Sequence, residues 1–384
     1  MEARSSIFFA TAPLGARTLA PRERPVWTPA NGAFQIELRA PGEIAADLDA
    51  WQALAARALE PAPFAEPEML LPALQHLSEG RQAALLLVWQ QAGHARLLRG
   101  LFPVVMPRLP IAPGEVRLWR PPGFPLAPAL LDRDQPGPVL EAVFAFCAAR
   151  GARCSSFVFS GVATRGALAA TVKGGRRRSE LLALPVLWAA SVAPAAQAAP
   201  AACPRSAEKI VRARSPAQIR DAVESFLVLE AREAKARGAM ALIEDAGAAS
   251  FIRTMTRQLA RRGQCRVETL RRDGGTSAAT VLLDGPDALW LWRGAGRDDA
   301  LGLLAEAAAA EAMRAGKRLI LSPDVHFTRA TAEALALEPL AVADLLVSTR
   351  TGLSPSAAVT RLKTRIDRRL RAVASGGLQR LMRA

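Results

Sequence analysis

Apolar and polar positions alternate from Phe34 to Arg39, the period of a half-buried strand. From Ala46 to Leu59 the period lengthens, placing Leu48, Trp51 and Leu54/Ala55 on one helical face, and Pro61, Pro63 and Pro67 end the pattern. Ala83 to Gln90 reads as a strand turned near Gly93, followed by strands over His94 to Pro107 and Glu115 to Arg120. A helix over Gly137 to Arg150 and a strand over Ser155 to Ser160 complete the series.

The order recurs later. Ile219 to Arg237 and Ala249 to Arg262 read as helices, the second with Phe251, Met255 and Leu259 on one stripe and Arg253, Arg257 and Arg261 opposite. Strands follow at Arg266 to Arg271, Ala278 to Leu283 and Ala288 to Trp292, joined through Asp273-Gly274 and Asp284-Gly285. A helix capped by Asp298 or Asp299 stops at Gly316, then come a strand at Lys317 to Leu321, a short helix at Thr328 to Leu335 and a strand at Val342 to Ser348. A meander, a helix and a return strand, found twice, predict a duplicated α/β (α+β) fold. The expected division is a loose leader over 1–33, a first unit over 34–170, a linker over 171–215, a second unit over 216–350, and a basic helix over 351–384.

Composition narrows the chemistry. The 384 residues are 51% hydrophobic and 22% charged, which is globular, and the net charge of +15 comes mainly from arginine spread along the chain. Such a balance is equally a compositional bias or an attraction to anionic surfaces. Cys147, Cys154, Cys203 and Cys265 form no CxxC pair, and His76, His94 and His326 do not share a helical turn, so no metal site is expected. Scattered thiols fit a reducing cytoplasm. Leu181 to Cys203 is uncharged and follows Arg176, Arg177 and Arg178, but Pro185, Pro194 and Pro200 interrupt it, so a linker is expected there and not a membrane span.

Phe226-Leu-Val-Leu-Glu230, followed by Lys235-Ala-Arg-Gly238-Ala-Met-Ala-Leu242, resembles a phrase of the form FLxLExxxWKGxxGTAL. That phrase belongs to the GNAT superfamily of acetyltransferases, in its bacterial cellulose-biosynthesis (CelD-like) type. Phe251 to Gly263, Cys265 to Leu270 and Trp290-Leu-Trp292 continue the resemblance, while Trp51, Pro63-Phe64 and Leu101-Phe102-Pro103 are similar to that type's N-terminal copy. The resemblance implies two tandem GNAT-like units, each a mixed central sheet flanked by helices, with any site in the second. It also implies acetyl-CoA as co-substrate and acetyl transfer to an amine or hydroxyl. The chain departs at Ala234, where the phrase has tryptophan, and has no tyrosine, the residue many such enzymes use to protonate the departing thiolate.

Candidate residues follow from the chemistry of acyl transfer, which needs an anion cradle, a base and stabilisation of the leaving group. Arg293-Gly294-Ala295-Gly296-Arg297 lies between a predicted strand and a predicted helix, where a glycine turn could cradle a diphosphate or merely serve the backbone. Glu230 falls on the stripe of Ile219, Val223 and Phe226, where burial would suit a base and an arginine partner would make it structural. Lys235 is either a phosphate contact or a surface charge. Asp324 and His326 follow a strand's carboxyl end, where α/β sites gather.

The expected function is therefore acetyl-CoA-dependent N- or O-acetyl transfer to a sugar or small metabolite, in the cytoplasm, with polysaccharide biosynthesis the pathway the resemblance implies. A glycan or small-molecule acceptor is the expected partner, with peripheral contact to anionic surfaces and no specific nucleic acid. Two alternatives remain open: a degenerate GNAT-like binding or scaffold protein, and an aminoacyl-tRNA-dependent transferase.

Overall fold

A computed structural model of the chain describes residues 26–28, 32–107, 114–150, 154–183, 187–190, 208–322, 325 and 337–350. The predicted helices at 328–335 and 351–384 lie outside these residues.

The first half runs β1 (Val26–Trp27), β2 (Gln35–Arg39), α1 (Leu48–Ala56), α2 (Pro67–His76), β3 (Ala84–Ala92), β4 (Ala95–Val105), β5 (Glu115–Leu118), β6 (Leu130–Leu131), α3 (Pro136–Ala149), β7 (Ser156–Ala163), α4 (Ala167–Gly174), β8 (Ser179–Ala183) and β9 (Leu187–Ala190). The second runs β10 (Glu208–Ala213), α5 (Pro216–Ala236), α6 (Ala246–Arg261), β11 (Cys265–Arg272), β12 (Gly275–Asp284), β13 (Ala288–Gly296), α7 (Asp298–Arg314), β14 (Arg318–Leu321), β15 (Leu337–Leu340) and β16 (Val342–Ser348).

Three local expectations change. Pro67 begins α2 instead of ending a helix, because a proline at the first helical position lacks only an N–H that has no partner there anyway. Val26 and Trp27, expected in a loose leader, pair with β2. The stretch 171–215, expected as a linker, contributes β8, β9 and β10 to sheets. Among the described residues no helix is long and apolar enough to cross a membrane.

Two sheets result. The first is ordered β1-β2-β3-β4-β5-β7-β16-β8, with β6 on β4; the second is β10-β11-β12-β13-β14-β9-β15. From β2 and from β10 onward, the neighbours have identical senses: three antiparallel pairs, one parallel, two antiparallel. Helices occupy matching connections, with α1 and α2 answering α5 and α6, and α3 answering α7. The duplication is thus visible strand by strand.

The sixth strand of each series comes from the other half. β9 leaves the first unit to sit between β14 and β15, and β16 leaves the second to sit between β7 and β8. Leu345 and Val347 of β16 are fully buried in the first unit's core beside Phe157 and Phe159. The exchange is reciprocal.

A single apolar cluster fills the space between the sheets, drawing Trp51, Phe64 and Phe124 from the first unit and Phe251, Trp290 and Trp292 from the second. Phe64 meets Trp290 edge-on at 4.9 Å, and Phe124 lies 6.1 Å from Phe251. Aromatic contacts of this kind add about 0.5–1.5 kcal/mol each beyond area burial. The outer faces are covered by α3 and α4 on one sheet and α7 on the other. At the seam Arg262 also reaches the Glu68 carboxylate, 2.9 Å away.

Candidate functional site

β13 and β14 run parallel from Ala288↔Arg318 to Leu291↔Leu321 and then part. The last tie is the Ser322 N–H to the Leu291 carbonyl, 3.0 Å. β13 continues to Gly296 held by β12 alone, with a bulge where Val281/Leu282 face Arg293 and Leu291. Among the described residues β13 and β14 border a notch beyond Leu291, where no described strand pairs with Trp292–Gly296 on the β14 side. Such a notch offers main-chain donors and acceptors to an extended ligand. Ser322, at the end of β14, is 2% exposed, and its hydroxyl meets no partner among the described residues. An orphaned buried hydroxyl costs about 1–3 kcal/mol, a state Ser322 shares with Ser156, Ser160 and Thr280.

The expected glycine turn is a strand. Gly294 pairs with Thr280 and Gly296 with Ala278. A Cβ on Gly294 would stand 2.9 Å from Val325 Cγ1, and one on Gly296, at φ +133°, would stand 2.5 Å from Ala278 Cα. Close approach, not a turn, is what these glycines serve. The Arg293 guanidinium lies over the Trp292 ring at 5.1 Å. Arg297 stands exposed at the cap position of α7.

This corner is acidic. The Gly296 N–H donates to the Glu233 carboxylate. Asp298 and Asp299 fill the first turn of α7, and Arg272, 2.6 Å from Asp299, holds that carboxyl below its usual range. Unit charges of like sign 4 Å apart near a surface repel by on the order of 4 kcal/mol. As it stands, the corner does not fit a diphosphate.

Glu230 lies half-buried on the expected stripe and is tied to backbone. Its Oε2 accepts the Leu242 N–H at 2.9 Å, fastening the α5–α6 connection to α5. Lys235 is exposed in the last turn of α5. Asp324 and His326 lie outside the described residues; Val325 between them packs beside Gly294. Sequence reasoning passed over Glu233, whose spacing of three from Glu230 puts it on the same helix face, and gave Ser322 no role.

The first unit has the equivalent notch, closed. β5 and β7 pair only from Glu115↔Ser156 to Arg117↔Val158. The chain beyond β5 then returns to β7, where the Ala127 N–H donates to the Gly161 carbonyl at 2.9 Å. Arg120 lies against Gly161 there, and its guanidinium donates to the Phe124 carbonyl at 3.0 Å. α3 opens Pro136-Gly137-Pro138, so two of its first three positions have no N–H for an anion. The open notch belongs to the second unit.

Cys147 and Cys265 are buried thiols poorly placed to act as nucleophiles. Burial pushes Cys265 up to about 12 and Cys147 higher still.

Residues 203–316 match the model of the acetyltransferase (GNAT) domain. Among solved structures, the crystal structure of FemX aligns with a TM-score of 0.50 at 9% identity, covering 77% of this chain and 95% of that one. The C-terminal domain of a putative lysylphosphatidylglycerol synthetase from Agrobacterium fabrum aligns at 0.46 and 12% identity, over 83% and 96%. A tandem GNAT protein from the clavulanic acid biosynthesis pathway aligns at 0.40 and 19% identity, over 83% and 99%. No curated protein matches the sequence. The second unit carries the matched domain and the first repeats its strand order and senses, so the fold is two tandem GNAT-like units.

Proposed function

We propose that the chain is an acyltransferase whose second unit binds an acyl thioester, with acetyl-CoA the donor to try first, and passes the acyl group to an amine or hydroxyl of a sugar or small metabolite. The observation that carries the reading is the notch between β13 and β14, whose β13 side lies in the segment matching the acetyltransferase (GNAT) domain. A thioester supplies an activated carbonyl. The chain's part is to hold the donor along the β14-facing side of β13 beyond Leu291, to exclude water with Trp292 and Phe251, and to meet sulfur with a hydroxyl. Ser322 Oγ is the hydroxyl in place, and in a chain without tyrosine it donates a hydrogen bond where negative charge grows as the C–S bond breaks. Asp324 or His326 then accepts the acceptor's proton. A cytoplasmic, CelD-like role in polysaccharide biosynthesis remains part of this proposal.

The rival reading is a scaffold that kept the fold and lost the chemistry, favoured by the carboxylate on the Gly296 N–H. Calorimetric titration with acetyl-CoA separates the two. Micromolar to millimolar binding, weakened in Gly294→Val, whose side chain would crowd the notch beside Val325, supports the transferase. A folded protein that takes up no acyl thioester of any length sinks it.

A further inference from the structure

The corner where β13 enters α7 already holds an anion, and the anion is the chain's own. Glu233 projects from the last turns of α5 and accepts the N–H of Gly296. Gly296 sits at φ +133°, with the Ala278 backbone so close that no side chain fits, and so presents bare backbone to whatever stands before it. The carboxylate is only lightly countered. Arg237 Nη1 is 3.5 Å away, and both side chains are open to water. Of the nearby cations, Arg272 is engaged by Asp299 and Glu208, and exposed Arg297 is 3.5 Å from Asp299. A donor diphosphate arriving here competes with Glu233 for the Gly296 N–H and gains little cationic help.

We infer that Glu233 is a specificity-determining residue of the donor site: its carboxylate takes the place of a phosphate oxygen on the Gly296 N–H and so disfavours donors that carry a diphosphate. The thioester arm is read by the notch, and the nucleotide end is turned away. The inference rests on the second unit being the donor-binding unit. It makes the carrier of the acyl group the selected feature: a donor lacking the diphosphate, such as a pantetheine thioester, loses nothing at this corner.

The test is calorimetric titration of the full chain with acetyl-CoA and with S-acetylpantetheine, in wild type, Glu233→Gln and Glu233→Ala. Glu230→Gln, on the same helix but tied to the Leu242 N–H, controls for general loosening of α5. Removing the charge should tighten acetyl-CoA by about ten-fold or more and leave S-acetylpantetheine unchanged. Amide exchange over 292–300 should slow on acetyl-CoA binding in Glu233→Gln more than in wild type. Equal acetyl-CoA affinity in wild type and both variants overturns the role of Glu233 while the donor reading stands. Equal tightening of both donors, or the same gain in Glu230→Gln, also overturns it. If neither donor binds any folded variant, the donor reading falls and this inference falls with it.

Discussion

Trp292 donates its indole N–H to the carbonyl of Gly123, 2.8 Å away and 169 residues earlier in the chain. The residue at which β13 parts from β14 is thereby anchored to a loop of the first unit. Gly123 has φ +78°, which turns the loop so that its carbonyl meets the indole and Phe124 enters the shared core. Trp292→Phe should cost about 1–3 kcal/mol in denaturant unfolding, from the lost hydrogen bond and the smaller ring. It should also weaken donor binding, because the edge of β13 loses its brace. A variant as stable as wild type would show that the loop and strand are independent.

The strand exchange predicts cooperativity. Leu345 belongs by sequence to the second half and by packing to the first unit's core. Leu345→Ala should cost about 2–5 kcal/mol and lower the whole unfolding curve. Calorimetry should show one transition in wild type and variant alike. Two separated transitions, with only one moved, would mean that the units unfold independently.

Two carboxylates predict opposite responses to pH. Burial alone would raise Asp132, but the Asp134 N–H, Arg99 and Arg57 outweigh it and hold the carboxyl below its ordinary 3.8. Its contribution is present above that value and lost as pH falls through the lower folded value. Asp132→Asn should therefore cost about 2–3 kcal/mol at neutral pH and progressively less below pH 3.8. Glu66 is raised above 4.5, chiefly by burial, with Arg262 opposing. Its folded form holds a proton more firmly, so ionisation erodes stability as pH rises. Glu66→Gln should match wild type in acid and exceed it at neutral pH. Urea midpoints across pH 3 to 8 read both curves, and parallel ones would contradict the assignment.

Ser322→Ala removes a hydroxyl that no partner satisfies. Stability should stay within about 0.5 kcal/mol of wild type or rise. If the hydroxyl meets the leaving sulfur, turnover of an acyl thioester should fall at least about ten-fold with KM little changed. Loss of stability with turnover intact would make Ser322 structural.

The parts of this architecture that depend on local pattern were legible in the sequence. α5, α6 and α7 have apolar stripes, and Ser215-Pro216 with Gln218 forms a capping box that fixes where α5 begins; α7 differs from expectation, since Arg297 stands at its cap position without a side-chain cap and Asp298 and Asp299 fall in its first turn. Strands β11 to β13 carry alternation and turn residues. What depends on distant partners was not legible. β8 and β9 look like a proline-broken apolar linker because their partners lie about 150 residues away. β16 looked like the end of its own unit, since nothing in Val342–Ser348 says which sheet it joins. The glycines of β13 suggested a turn, because close backbone approach and positive φ select the same residue. Glu230 did lie on the stripe, yet whether a carboxylate serves chemistry or a neighbouring N–H depends on where the α5–α6 connection returns.

The crossed strands also bear on inheritance. The first copy's notch is closed and its helix entrance is stripped of donors by proline, yet that copy cannot be discarded. Deleting it would remove β9 from the copy with the open notch, just as trimming β16 from the tail would unmake the first. Once the exchange was established, the two copies became a single heritable object. A change tolerated in one half is screened through the other, which shares its sheets.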